Sequence, residues 1–387
     1  MKVDYRTPLQ VIANSLQHYH QITVQTEEVG GMNFFPTTGI GMTGDGSVTN
    51  ILRYNPSMRV LLSLYNAALE PESHTSEAIV HYALFQACME TSHYSEARTH
   101  LNAFRQEVSQ FSRSPRNAEE QETHEGKILI QQFFTLYHEA FHLVWHHYPD
   151  LGDEAKERTR QLLLDIKEEW TEGLLLVHEP ELYLHPKIQQ QLASMIPQEL
   201  DEENRQEMHD YLESQWAEGV FTPDYIDDVI QNDSGLVEEI TCDRLAWNNL
   251  LSIFQSDGAT EEDVRQMHLW LFSVFYAMDF NKVLLSQFVP SIHERVTYNG
   301  MRVLLRHKAF KNLLHYYNPE AYENARGEFL NLSTGLSSVY RSSVMALFRY
   351  GDDLAKLYAD HQAGVRSFDI AEHRRLQTEM AEICANL

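Results

Sequence analysis

The chain has 387 residues, enough for two domains of ordinary size, and 43% of them are hydrophobic, which suffices for a substantial core. Acidic residues outnumber basic ones 56 to 30, a formal charge of −26, so a phosphate backbone or an anionic lipid surface is repelled and neither nucleic acid nor membrane is an expected partner. Three cysteines with no CxxC pair exclude a disulfide framework and a cysteine-based zinc knuckle, and the start of the chain lacks the apolar run of a signal peptide. The expectation is a soluble protein of a reducing compartment, cytoplasmic, with its oligomeric state left open.

Residues 1–58 carry six of the seventeen glycines, all between 30 and 46, and a faint alternation in QITVQTEEV that predicts one or two strands. GIGMTG fits GxGxxG through Gly39, Gly41 and Gly44, but Pro36 precedes it and no βαβ pattern surrounds it. No GK[ST] occurs anywhere, so a phosphate-binding loop is excluded, and the stretch is expected to be a flexible loop.

From about residue 59 the apolar spacing becomes helical. SEAIVHYALFQACMETSHYSEARTHLNAFRQEV predicts a helical hairpin and resembles a single tetratricopeptide repeat through Tyr82, Tyr94, Ala97 and Leu101. SRSPRNAEEQETHEG, residues 112–126, is polar, contains Pro115 and Gly126, and is the expected linker. The predicted division is an N-terminal region over 1–111, this linker, and a helical domain over 127–387. The expected class is mainly α (α+β), with the small mixed part at the N-terminus.

The segment KILIQQFFTLYHEAFHLVWHH is apolar on most of its girth, which predicts a buried helix ending at Pro149. His138 and His142 lie one turn apart on one face, so both imidazoles can reach one ion. Glu139 points about 100° away, where it can meet a water but not easily the same ion. This is the HExxH arrangement of two metal ligands and a general base. His146 and His147 are read as helix-end residues favoured by the helix dipole.

A catalytic zinc takes a third protein ligand from another element. In GLVEEITCDRLAW, residues 235–247, Glu239 and Asp243 are four apart, and no other aspartate in the chain has a glutamate four positions earlier. HEAFH followed by a helix with ExxxD resembles the gluzincin division of HExxH zinc metallopeptidases. The resemblance implies a zincin-like helical catalytic domain, Zn2+ as cofactor and a protein or peptide substrate. It implies His138, His142 and Glu239 as ligands, Glu139 as base and Asp243 as the carboxylate that orients a zinc histidine. Glu238 is the rival of Glu239, and Cys242 beside them is either a soft ligand or a buried thiol. For stabilising the oxyanion the candidates are His293 and Tyr298, with Arg295 and Tyr276 as further choices.

EPELYLHP, within residues 173–192, resembles the Walker B region of ATPases of the overcoming-lysogenisation and structural-maintenance type, but His178 stands where those proteins have aspartate. Without a phosphate-binding loop it cannot hold a triphosphate. The leading expectation is a zinc metallopeptidase. The alternative is a non-catalytic helical interaction module, with HExxH as core or as a structural metal site.

Overall fold

The computed structural model describes residues 6–42, 48–67, 75–111, 118–174, 223–288 and 300–384. Helices dominate, with one small three-stranded sheet near the N-terminus, so the protein is mainly α with a small mixed N-terminal part. The chain forms two compact units. The first comprises Met1–Asp150, Cys242–Tyr298 and Leu313–Leu387, and the second Leu151–Thr241 and Asn299–Asn312.

In the first unit, α1 (Arg6–His20) leads into β1 (Val24–Glu28), β2 (Thr37–Met42) and β3 (Val48–Tyr54). The sheet order is β1-β3-β2, with β1 parallel and β2 antiparallel to β3, so β2 lies at an edge. Residues 39–42 of the glycine-rich stretch are therefore strand, not the loop expected from sequence. Gly41 pairs with Thr49, and a Cβ there would stand 2.7 Å from Ile51 Cδ1. A Cβ at Gly39 would come within 3.2 Å of Arg53 Nη1. The glycines give room to side chains of β3 rather than to a phosphate.

Four helices follow: α2 (Ser57–Ala67), α3 (Thr75–Glu90), α4 (Tyr94–Phe111) and α5 (Ala118–His147). The hairpin of α3 and α4 forms as its periodicity predicts, with Tyr82, Ala97, Leu101 and Phe104 buried and the Tyr82 ring between those of Phe34 and Phe104. Of the expected linker over 112–126, residues 112–117 lie outside the described residues, and 118–126 are the first turns of α5.

α5 is a core helix, as its nearly continuous apolar girth requires. Phe134, Leu136, Leu143 and Val144 are buried, and it packs against α1, α2, the sheet and the long helix Glu261–Phe288. Its buried amides are satisfied. Gln131 bonds Asn66, Ser273 Oγ and the Trp270 carbonyl, and Gln132 donates to Tyr54 Oη. Left unpaired, such groups would cost about 1–3 kcal/mol each.

The second unit holds most of α6 (Pro149–Leu174), α7 (Pro223–Asn232), the first turns of α8 (Ser234–Ser256) and the start of α10 (Gly300–Tyr317), where α9 denotes Glu261–Phe288. Leu163, Ile166, Ile226, Val237 and Leu305 are buried in it, and Lys156–Glu238, Lys167–Asp227 and Arg302–Asp233 pair at its surface. Asp233 also starts α8, its Oδ1 accepting from the Leu236 amide at 3.0 Å in the manner of an N-cap.

The C-terminal helices α11 (Pro319–Phe348), α12 (Gly351–Gln362) and α13 (Ile370–Cys384) return to the first unit. α11 packs on α3, and α13 packs on α4 through Arg98–Glu372, Arg105–Glu379 and the His373 ring against Tyr94. Both helices of the repeat-like hairpin are thus covered by the chain itself. Among the described residues no helix is long and apolar enough to cross a membrane.

Candidate metal centre

α5 carries His138 and His142 on one face, with ring centroids 5.2 Å apart and planes at 74°. His138 is 3% exposed and His142 half-buried. The buried imidazole of His138 needs partners for its polar nitrogens.

α8 supplies one for His138. Asp243, 2% exposed, accepts a 2.9 Å hydrogen bond from His138 Nδ1. This is the contact that the resemblance implies for the ExxxD aspartate. A carboxylate oxygen only accepts, so Nδ1 carries the proton and Nε2 presents its lone pair away from Asp243. The ring is thereby fixed in the tautomer and orientation a metal ligand needs.

Cys242 precedes Asp243 and is fully buried. One ligand atom from each of His138, His142 and Cys242 lies within 4.8 Å of the other two. Two imidazole nitrogens and a sulfur, with one imidazole oriented by a carboxylate, are donors of the kind zinc accepts, and the cluster could hold a metal ion.

Glu139 is half-buried beside His138, and its Oε2 accepts from Thr38 Oγ1 at 3.4 Å. Thr38 belongs to β2, so the edge strand and the HExxH helix meet at the residue expected to act as base. Sequence reasoning missed Thr38, because nothing local ties residue 38 to residue 139.

The other expected residues fall as follows. Glu239 lies one turn before Asp243 on α8, and its Oε2 is 3.0 Å from Arg306 Nη1. Glu238, its rival, pairs with Lys156 Nζ at 2.9 Å. Tyr276 is buried in α9 with its ring edge-on to those of Phe272 and Tyr340. His146 and His147 are exposed in the last turn of α5, and His147 Nε2 meets Asn50 Oδ1 at 2.9 Å. His293, Arg295 and Tyr298 lie outside the described residues, as does EPELYLHP.

Comparison with models of protein families, with curated proteins and with solved structures found no match to this chain.

Proposed function

We propose that this chain is a zinc-dependent metallopeptidase. His138 and His142 would hold the ion together with a third side chain of α8, a place the gluzincin resemblance gives to Glu239. The observation that carries the reading is the bond from His138 to Asp243, which orients an HExxH histidine as a ligand beside a second imidazole and a thiol. When bound, zinc supplies Lewis acidity, polarising a carbonyl and lowering the pKa of water toward about 7.

The chain's own groups do the rest. Asp243 holds the His138 ring, and Thr38 holds one oxygen of Glu139. The Glu139 carboxylate takes a proton from the attacking water and returns it to the amine nitrogen that leaves. β2 is an edge strand touching Glu139, so a substrate laid along it as an extended strand would bring its carbonyls past that carboxylate. This favours a peptide over a compact small molecule as substrate.

The test is a pair of measurements on purified protein. Glu139→Gln should keep one zinc per chain and lose hydrolysis of a mixed peptide library. Hydrolysis at the wild-type rate by that variant, or a wild-type protein that takes up no zinc, would overturn the proposal.

A further inference from the structure

Resting on the metal-centre reading above, we infer that the third protein ligand is the thiolate of Cys242 and not the carboxylate of Glu239. The resemblance points to the glutamate, but the side chains gathered around the histidine pair point to the cysteine. His138, His142 and Cys242 already bring their donor atoms within 4.8 Å of one another. Around one tetrahedral zinc such atoms stand about 3.3–3.6 Å apart, given bonds of about 2.0–2.1 Å to nitrogen and about 2.3 Å to sulfur. A closure of at most about 1.5 Å separates the two arrangements.

The backbone holds Cys242 in place. It is the residue next to Asp243, and Asp243 is tied to His138, so the hydrogen bond that orients one ligand also fixes the position of the next. Glu239 is engaged differently, with its carboxylate on the guanidinium of Arg306, which is itself only 5% exposed. Drawing that carboxylate to a metal would take charge compensation from a buried cation. A thiolate ligand has its own consequence: it selects a softer ion than two histidines and a carboxylate would, and it makes the centre sensitive to thiol oxidation.

Cobalt(II) reports on this directly, because a thiolate bound to it gives an intense near-ultraviolet charge-transfer band that nitrogen and oxygen ligands do not. Cobalt titrated into the metal-stripped chain should raise this band to a plateau at one equivalent. The band should be lost in Cys242→Ser and kept in Glu239→Gln. Zinc-edge X-ray absorption of the unsubstituted protein, which needs no variant to fold, should find one sulfur at about 2.3 Å. One bound ion with no band and no sulfur neighbour overturns the assignment to Cys242 while leaving the metal centre standing. A band that persists in Cys242→Ser overturns it as well. A chain that takes up neither cobalt nor zinc overturns this inference and the metallopeptidase reading together.

Discussion

His138 and Asp243 are 105 residues apart in sequence and 2.9 Å apart in space, imidazole Nδ1 to carboxylate Oδ1. Both are buried, so little water competes for the bond, and it sets which nitrogen of His138 carries the proton. An HExxH helix alone leaves the tautomers of its histidines undecided, and this contact decides one of them.

Replacing Asp243 with asparagine should therefore weaken zinc about 10–100-fold, the usual effect of losing a carboxylate behind a metal-bound histidine. Competition against a chromophoric chelator measures it. Unchanged affinity in a folded variant would show that the bond plays no part in metal binding.

His138→Ala removes one of the two proposed histidine ligands and should bring the zinc content of the purified chain close to zero. Elemental analysis after dialysis reads this. Tyr276→Phe, in the same unit but packed among aromatic rings in α9, should keep its zinc and serves as the control.

At β2 the prediction is steric. Gly41→Val places a side chain against Ile51 Cδ1, the end of a side chain that must shift to make room, and should cost about 1 kcal/mol, the low end for overpacking. Gly30, where a Cβ meets nothing within 4 Å, should accept alanine with little change. Urea denaturation of the two variants compares them, and equal midpoints would contradict the close approach of β3 to β2.

A pH dependence arises away from the candidate metal centre, where His81 Nδ1 and His100 Nδ1 meet at 3.2 Å beside the Tyr350 ring. Burial pushes His100 down to about 4, and His81 acts in the same direction against the opposing charges of Asp353 and Glu96. The unfolded chain protonates this histidine near pH 6.5, so between there and about 4 the unfolded state binds more protons and acid favours unfolding. The stability due to a neutral His100 is complete above the unfolded value and is lost as pH falls toward the folded one. His100→Gln should flatten the fall in stability across that window. Identical slopes for variant and wild type, from denaturant melts at several pH values, would rule this out.

Much of the architecture is legible in the residues because it is local. Apolar residues on most faces of 127–147 mark a helix that must be buried, and α5 is one. Pro149 marks its end, and Pro149 begins the next helix. Tyr82, Ala97 and Leu101 are spaced as a hairpin, and α3 and α4 form it. The glycines of GIGMTG suggested a flexible loop because glycine is common in loops, whereas Gly39 and Gly41 lie in a strand, close to Arg53 and Ile51 of the neighbouring one.

By itself the sequence determined that His138 and His142 share a helix face with Glu139 beside them, since a period of 3.6 residues allows nothing else. It also set Glu239, Cys242 and Asp243 within about one turn of a second helix. Only the tertiary structure decided that Asp243 reaches His138, that the Cys242 sulfur joins the imidazoles, that Glu239 meets Arg306 and that Thr38 touches Glu139. The reason is physical: periodicity fixes neighbours along one helix, but which groups of separate elements meet depends on how the buried faces pack, and no local pattern in the chain encodes that.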